Sequence, residues 1–340
     1  MTEWTDPVAV IGAGAWGTTL ARMVAQRGTP VRLWAVTREL VLEIEENREN
    51  VSYLPGFELP ETITVSSDGA EVLDGASAVI WVVPSQWLRE TAAKLAPDLD
   101  SSVLQVCATK GIERATGMRM SEVLCEELAD DPEVLQDEFV ALSGPNLSRE
   151  ICEGHPALSV AASTSEERSA EAQRLLTSAR FRVYRNPDII GVELCGALKN
   201  VIAIGAGMSD GLGYGSNARA ALMTRGLAEM RRLGVALGAH PQTFAGIAGM
   251  GDLVTTCTSR LSRNYSTGRR LAKGETREQI QESMRAVAEG VFTSRAEVEL
   301  ATQVGVEVPV AEAVHGVLFE GKDVRDAAEM LMTREQRAEF

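Results

Sequence analysis

The stretch VAVIGAGAWGTTLARMVAQ, residues 8–26, indicates the fold of this 340-residue chain. It opens with an apolar run, continues with glycines at positions 12, 14 and 17, and then takes on helical spacing of apolar residues over 16–26. A G-x-G-x-x-G sequence between a strand and a helix is typical of a dinucleotide-binding unit. The alternative, a glycine-rich turn without a ligand, is disfavoured because a second strand is predicted at 31–34.

Each glycine of this motif has a separate task in such a unit. Gly12 permits the tight turn, Gly14 lets the backbone approach a pyrophosphate, and Gly17 lets the helix pack closely on the strand. The pyrophosphate would then meet free N–H groups at the helix N-terminus, where the helix dipole favours an anion.

The rest of the first half alternates apolar strands with helical patterns. Further strands are expected at 78–83, 103–108 and 140–143, and edge strands near 158–161 and 181–184. Continuous apolar strands are typical of a parallel sheet covered by helices on both faces. The sequence therefore predicts an α/β, Rossmann-type, doubly wound N-terminal domain.

From about residue 189 strand signals nearly vanish and helical spacing dominates. Helices are expected at 191–208, 218–237, 280–287, 294–303 and 310–319. We therefore place a boundary close to Asn186-Pro187-Asp188, with a dinucleotide-binding domain over 1–188 and a mostly α-helical substrate-binding domain over 189–340.

Charge and composition limit the classes of partner, cellular location and metal site that the chain can have. The net charge of −15 disfavours nucleic acid and anionic membranes as partners. The N-terminus lacks the pattern of a signal peptide, and the apolar runs are too short to span a bilayer, so a cytoplasmic protein without membrane insertion is expected. Five scattered cysteines and three histidines predict reduced thiols and no metal site.

The end of the second strand bears on cofactor choice. A carboxylate there favours NAD, but this strand exits through Thr37 and Arg38, with Glu39 one position late. Arg38 can pair with a 2′-phosphate, which favours NADPH while leaving NADH possible. Either charged residue can equally be a solvated residue at the start of a helix.

Lysine is rare in this chain, and two of its five lysines lie in segments suited to a site. Lys110 follows a buried strand, as does the Ser143–Asn146 segment, at the carboxyl edge where open α/β sheets bind ligands. Lys199 lies inside an apolar helix, where burial and a nearby Lys110 would lower its pKa, and Asp252 could hold its ammonium. The alternative is a lysine that reaches solvent from the helix surface.

The segment Arg260-Leu-Ser262-Arg263-Asn264 is a compact cluster of hydrogen-bond donors. A helix starting near Asn264 would add backbone N–H groups, and together they would bind a phosphate. The alternative is an exposed basic loop. On an acidic protein, such a cluster supplies the basic cleft that phosphorylated ligands require.

Taken together, these motifs identify a resemblance to the bacterial-type NAD(P)-dependent glycerol-3-phosphate dehydrogenases. The resemblance extends over nearly the whole chain. Its segments are GAGAWGT (12–18), NVSYLPG (50–56), ATKGIE (108–113), SGPN (143–146), LKNVIAIGAGMSDGLGYGSNARAAL (198–222), GMGDLVTTCTSRLSRN (249–264) and AEG (288–290).

The resemblance implies a reversible hydride transfer between NAD(P)H and dihydroxyacetone phosphate, which supplies sn-glycerol 3-phosphate for glycerophospholipid synthesis. Lys199 would be the general acid of reduction and the base of oxidation, and Lys110 would touch both cofactor and substrate. The substrate pocket would be lined by Gly144, Asn146, Asp252, Ser262, Arg263 and Asn264. Contacts to the dinucleotide would come from Ala15, Trp16, Ser148, Arg263, Val287 and Glu289.

The family resemblance also implies a homodimer, and the chain departs from the family pattern at two positions. Val36 stands where the family often has Arg or His, which leaves recognition of the adenosine phosphate to Thr37 or Arg38. Asn146 stands where Thr or Ser is common, and its amide can still donate a hydrogen bond.

Two other functions are compatible with parts of this pattern. A dehydrogenase of 2-hydroxy or 3-hydroxy acids could use Ser262, Arg263 and Asn264 to bind a carboxylate. A non-catalytic NAD(P)H-sensing protein would need only the dinucleotide-binding domain, and would not need Lys199 or Asp252.

Overall fold

An eight-stranded sheet forms the N-terminal half of the computed structural model, which describes residues 4–128, 138–284, 288–336 and 338. The strand order is β3-β2-β1-β4-β5-β6-β7-β8, and every neighbouring pair is parallel except β6 and β7. The strands are β1 Val8–Ile11, β2 Val31–Trp34, β3 Ile63–Ser66, β4 Ala78–Trp81, β5 Leu104–Cys107, β6 Phe139–Ser143, β7 Ala157–Ala162 and β8 Phe181–Asn186.

Helices connect these strands and cover the sheet. They are α1 Ala15–Ala25, α2 Arg38–Asn47, α3 Gly69–Leu73, α4 Leu88–Leu95, α5 Met120–Leu128, α6 Ser148–Cys152 and α7 Glu166–Leu176. The chain runs from β1 outward to β3 and returns to β4 on the other side of β1. This reversal of strand order between β1 and β4 is where doubly wound sheets open a ligand crevice.

The fold class expected from the sequence is confirmed, with two corrections in the sheet. The strand β3, Ile63–Ser66, was missed because its alternating burial gives only two buried apolar residues. The segment near 158–161 was expected at an edge, but β7 pairs with β6 on one side and β8 on the other, so of the two expected edge strands only β8 lies at an edge of the sheet. The antiparallel β6–β7 pairing cannot be read from the strand sequences, since both are apolar.

Alternating residues of the central strands divide the core into two layers. Val8 and Val10 pack with α1 and α7 on one face of the sheet, while Ala9 and Ile11 face the other layer. That second layer is continuous with the core of the C-terminal half, where it includes Leu198. The two halves of the chain therefore share one apolar layer.

The C-terminal half is helical and is organised around α8, Ile189–Gly211. The other helices are α9 Ser216–Ala236, α10 Asp252–Thr258, α11 Arg263–Leu271, α12 Arg277–Ser283, α13 Glu289–Val304, α14 Pro309–Phe319 and α15 Val324–Met332. Helices α9, α10, α11, α13 and α14 all pack against α8. A Cβ added to Gly268 in α11 would lie 1.9 Å from the Ile204 carbonyl oxygen, so glycine permits the close α8–α11 crossing.

Helix α8 also corrects an expectation about membrane segments. By length and hydropathy this 23-residue helix could cross a bilayer, so the expectation that every apolar run is too short to do so is wrong. Its most apolar window is 94% buried inside the protein, which is the position of a core helix.

The expected helix at 280–287 is α12, which spans Arg277–Ser283, and residues 285–287 lie outside the described part of the chain.

A buried acid in this helical core leads to a stability prediction. Glu297 in α13 is fully buried, and neither of its carboxylate oxygens has a hydrogen-bond partner among the described residues. Burial raises its pKa well above the ordinary value, and the nearby Glu229, whose own pKa burial raises to about 7, adds to that shift. Burial therefore favours the neutral acid in the folded protein, and its proton is lost more readily on unfolding.

Because the folded-state pKa is the higher one, the contribution of Glu297 to the free energy of unfolding is fully present below the unfolded pKa of about 4.3. That contribution falls as the pH rises above this value. We expect Glu297→Gln to raise Tm at pH 7.5 by about 2 to 4 °C, and to leave Tm unchanged near pH 4. Thermal unfolding at both pH values measures this. Glu299→Gln, an exposed acid on the same helix, is the control and should change neither value. An equal shift of Glu297→Gln at both pH values would contradict a neutral buried acid.

Candidate active site

The glycine turn after β1 is built for close backbone approach. Gly12 has φ +121°, and an added Cβ would lie 2.9 Å from the Val82 carbonyl oxygen, next to β4. A Cβ on Gly17 would lie 1.8 Å from the Gly12 carbonyl oxygen, so neither position admits a side chain. Gly14, the N-cap of α1, has open space instead, with no atom within 4 Å of an added Cβ. That open space beside a helix N-terminus is where a pyrophosphate can approach.

Asn50 supports this turn from a distant part of the chain. Its buried side-chain amide donates hydrogen bonds to the Ala13 carbonyl oxygen and to the Thr18 hydroxyl, both at 2.8 Å. No role is predicted for Asn50, because a polar residue in a loop carries no local signal of a contact 37 positions away.

The end of β2 presents the residues considered for adenosine recognition. Thr37 is the N-cap of α2, and its hydroxyl accepts a hydrogen bond from the Leu40 backbone N–H at 3.3 Å. Val36 and Arg38 are exposed beside it. No described residue pairs with the Arg38 guanidinium, so it is free to meet a 2′-phosphate.

Two lysines and one aspartate meet where the sheet adjoins the helical half. The Lys199 Nζ of α8 donates to Asp252 Oδ1 at 2.7 Å and to the Thr256 hydroxyl at 2.6 Å. The Lys110 Nζ, just past β5, donates to Asp252 Oδ2 at 2.9 Å and to the Gly144 carbonyl oxygen at 2.9 Å. One carboxylate on α10 thus joins a lysine of each half.

Burial sets the electrostatics of this group. Lys199 is only 6% exposed, and burial lowers its pKa to about 8, with Asp252 opposing the shift and Lys110 adding to it. Burial alone would raise the pKa of Asp252, but the charges of Lys110 and Lys199 outweigh it and lower that pKa. The aspartate is therefore ionised, and Lys199 can both donate and accept a proton near neutral pH.

The end of β6 and the residues that follow it carry polar atoms without a hydrogen-bond partner among the described residues, next to Lys110. The Ser143 hydroxyl and Asn146 Oδ1 are buried and have no hydrogen-bond partner among the described residues. The Asn146 amide nitrogen donates to the Ser159 hydroxyl at 3.2 Å. Buried polar atoms normally find partners, so these two are suited to a ligand.

The start of α11 is linked to α8 through two asparagines. The Asn264 amide donates to Asn200 Oδ1 at 2.8 Å, and Asn264 Oδ1 accepts from the Gly290 backbone N–H at 2.9 Å. Asn200 follows Lys199 directly, so the chain of amides places Asn264 close to the lysine helix. Arg263 is exposed, and no described residue hydrogen-bonds its guanidinium.

The donor cluster expected over 260–264 is divided by the fold. The Ser262 hydroxyl is the N-cap of α11 and accepts from the Tyr265 backbone N–H at 3.2 Å. Arg260 lines a separate cavity with Arg269 and Arg270. The helix itself begins at Arg263, one residue before the expected start.

Glu289 connects the two halves a second time. Its Oε1 accepts from the Ser85 backbone N–H at 3.0 Å, and its Oε2 accepts from the Ser85 hydroxyl. Ser85 follows β4, at the point where the strand order reverses. Burial raises the pKa of Glu289, although the Ser85 hydrogen bonds oppose that shift.

The remaining residues expected near the dinucleotide stay predictions as contacts. Ala15 and Ser148 begin α1 and α6. The Trp16 indole packs on Phe181 with ring centroids 6.4 Å apart, and its buried N–H has no partner among the described residues. Val287 lies outside the described residues.

Two models of one known enzyme family match the two halves of the chain. The model of the NAD-dependent glycerol-3-phosphate dehydrogenase N-terminus matches residues 7–169, and that of the C-terminus of the same enzymes matches residues 188–329. The chain belongs to the NAD-dependent glycerol-3-phosphate dehydrogenase family. Lys110, Lys199 and Asp252 all fall within these matched ranges.

Individual members of the NAD-dependent glycerol-3-phosphate dehydrogenase family match nearly the whole chain. A glycerol-3-phosphate dehydrogenase [NAD(P)+] of Citrifermentans bemidjiense is 51% identical over 334 residues, which cover 98% of this chain and 99% of the relative. One from Corynebacterium glutamicum is 47% identical over 333 residues with the same coverage. The crystal structure of glycerol-3-phosphate dehydrogenase from Coxiella burnetii superposes with a TM-score of 0.91 at 37% identity, covering 97% of this chain and 99% of that one.

Several residues of this family member's site were missed in the sequence. Thr256 contacts Lys199, Asn200 contacts Asn264, and Ser85 binds Glu289. Thr256 lies four positions after Asp252, which puts both residues on one face of α10. This spacing could have predicted that both contact the same lysine. Ser85 and Asn200 reach their partners only through the fold.

Proposed function

We propose that this chain is an NAD(P)-dependent sn-glycerol-3-phosphate dehydrogenase that interconverts dihydroxyacetone phosphate and sn-glycerol 3-phosphate. It would supply glycerol 3-phosphate for glycerophospholipid synthesis. The observation that carries the proposal is the buried Lys199 ammonium, which Asp252 joins to Lys110 at the carboxyl edge of a dinucleotide-binding sheet. The relatives, named for this activity, support it.

The residues around the glycine turn fit a dinucleotide. The open space at Gly14 and the free N–H groups of α1 suit the pyrophosphate, with Gly12, Ala15, Trp16 and Gly17 around it. Exposed Arg38 beside Thr37 would receive the adenosine end, which favours NADPH and leaves NADH possible. Lys110, Ser148, Arg263, Val287 and Glu289 would contact the rest of the cofactor. When bound, the nicotinamide supplies the hydride that reduces the ketone carbon.

The phosphate of the substrate requires cations outside the lysine pair. Arg263 presents a free guanidinium, and Asn264 and Ser262 lie beside it at the start of α11. Gly144, Asn146 and Lys110 would bind the three-carbon part of the substrate, since Ser143 and Asn146 leave unpaired polar atoms there. Fixing both ends holds the ketone carbon in one position.

Lys199 moves the proton. In reduction, an N–H bond of its ammonium breaks as an O–H bond forms on the ketone oxygen, so negative charge does not accumulate on that oxygen. Oxidation of the alcohol reverses this step, and the neutral amine takes the proton. Asp252 orients the Nζ and balances its charge, while Lys110 stabilises negative charge on the substrate.

The direct test is loss of NADPH absorbance when dihydroxyacetone phosphate is added, repeated with NADH. We expect turnover with NADPH, and turnover at lower efficiency with NADH. Parallel assays with 2-keto and 3-keto acids should show no comparable rate. Tight NADPH binding without turnover of dihydroxyacetone phosphate would instead favour a sensing protein and end the proposal.

The pH dependence should differ between the two directions. Reduction needs protonated Lys199 and oxidation needs the neutral amine, and burial places the Lys199 pKa near 8. We therefore expect kcat for reduction to fall above about pH 8 and kcat for oxidation to rise up to about pH 8. Initial rates from pH 6 to 10 in both directions measure this, and parallel profiles in the two directions would contradict it.

Assembly, location and domain division are part of the same proposal. A cytoplasmic homodimer is supported by the family resemblance, and the expectation that no helix inserts into a membrane is supported by the burial of α8. A boundary at residue 188 is supported by the cap of α8, where Asp188 Oδ1 accepts from the Gly191 backbone N–H at 2.9 Å. Light scattering of the purified full chain tests the dimer.

A further inference from the structure

The outer side of α11 carries basic side chains around a small surface cavity that the proposed mechanism does not use. The cavity has a volume of about 130 Å³. Its lining includes Arg260, Ser266, Arg269, Arg270, Lys273 and Glu275, which we call the α11 basic pocket. Four cations and one carboxylate therefore meet at this site, on a chain whose net charge is −15.

Many donors of the α11 basic pocket have no protein partner. Arg260 and Lys273 are exposed, and neither hydrogen-bonds or pairs with any described residue. Arg270 binds Glu275 through Nε and one terminal nitrogen, which leaves its Nη1 free. Arg269 Nε lies 2.9 Å from Asp210 Oδ2, and the two terminal nitrogens of Arg269 are free.

Helical spacing makes these donors converge. Positions 266, 269, 270 and 273 follow an i, i+3, i+4, i+7 pattern, so they share one side of α11 and the turn after it. Basic residues in a last turn also stabilise the helix dipole, which accounts for Arg269 and Arg270. It does not account for Arg260, which precedes the helix and still lines the same cavity.

We propose that the α11 basic pocket binds a small anion carrying several phosphate charges, at a site separate from that of the substrate phosphate. Arginine guanidinium groups match phosphate oxygens in pairs, and Lys273 adds a compact charge. A phosphate headgroup of a lipid has the same chemistry. The small cavity and the acidic surface of the whole chain favour a free polyphosphate over an anionic bilayer.

Occupation of the pocket should weaken substrate binding, an effect that, unlike the binding itself, rests on the proposed function. Arg263 and Arg270 are seven residues apart on α11, which is about 10 Å along the axis at 1.5 Å per residue. The Debye length is about 8 Å at physiological ionic strength but about 30 Å at about 0.01 M, so at low ionic strength a multiply charged anion in the pocket would lower the positive potential at Arg263. The KM for dihydroxyacetone phosphate should rise while kcat is retained.

Calorimetric titration of inorganic pyrophosphate into the full chain tests the site. The titration is run with and without saturating sn-glycerol 3-phosphate and without cofactor, so that no turnover contributes heat. We expect binding that persists with sn-glycerol 3-phosphate present and weakens roughly tenfold in Arg260→Gln/Lys273→Gln. The control Arg231→Gln/Arg325→Gln removes the same charge from exposed positions elsewhere and should bind as wild type does. Absent binding, equal loss in both variants, or loss on adding sn-glycerol 3-phosphate would each overturn the site.

Two further measurements test the consequences. At an ionic strength of about 0.01 M, pyrophosphate should raise KM for dihydroxyacetone phosphate about threefold in wild type and control, and should not do so in the pocket variant. An unchanged KM despite calorimetric binding would overturn the coupling, whereas absence of all turnover would refute the proposed function and leave the binding result standing. If the full chain sediments with phosphatidic acid vesicles and does not bind pyrophosphate, the choice of a free anion over a lipid headgroup is overturned.

Discussion

Replacing Lys199 by alanine should lower kcat for reduction of dihydroxyacetone phosphate by about 10²- to 10⁴-fold. The Nζ is the only group that we propose to transfer the proton, and water has no fixed position from which to replace it. The variant should fold, because Asp252 keeps its second ion pair with Lys110 at 2.9 Å. Stopped-flow single turnovers with NADPH measure the loss in the chemical step.

Cofactor affinity separates a catalytic from a structural effect of this substitution. The glycine turn lies on β1 and α1, and Lys199 contacts neither, so the Kd for NADPH should change less than twofold in Lys199→Ala. Lys199→Arg keeps the charge but cannot release a proton near neutral pH, and should be as slow as the alanine variant. Lys94→Ala, a change outside the site, should retain wild-type turnover. Wild-type turnover in Lys199→Ala would end the assignment.

Replacing Asp252 by asparagine should lower kcat by about 10²-fold and move the pH profile. The carboxylate separates two ammonium groups, at 2.7 Å from Lys199 and 2.9 Å from Lys110. Without it, burial and the Lys110 charge both lower the Lys199 pKa, and the largest influence that opposes them is gone. The variant therefore loses the protonated amine at neutral pH as well as its orientation.

The pH profile distinguishes this role from a loss of folding. In Asp252→Asn the fall of the reduction rate should begin well below pH 8, and the oxidation rate should reach its plateau at a correspondingly lower pH. Asp252→Glu keeps the charge and should restore the wild-type midpoint even where kcat stays low. Asp100→Asn removes an exposed carboxylate and should leave the profile unchanged. A wild-type midpoint in Asp252→Asn would show that Asp252 does not set the Lys199 pKa.

The sequence alone determined the fold class and the glycine turn after β1. Both depend on local patterns, namely apolar runs of strand length, helical spacing and glycines at 12, 14 and 17, which act within a few residues of one another. The scarcity of lysine also singled out Lys110 and Lys199, because a buried amine in an apolar helix is unusual enough to notice. The position of Asp252 beside Lys199 was an expectation that the tertiary structure confirmed.

Only the tertiary structure decided how the distant parts of the site fit together. Asn50 supports the glycine turn across 37 positions, Glu289 binds Ser85 across 204, and Lys110 reaches Asp252 across 142. It also separated Arg260 from Asn264, which are near neighbours in sequence but lie in different sites. Short-range patterns specify strands and helices because backbone geometry is local, whereas hydrogen bonds between elements depend on how those elements pack. The pKa of Lys199 is set in the same way, by burial and by charges from elements far apart in the chain.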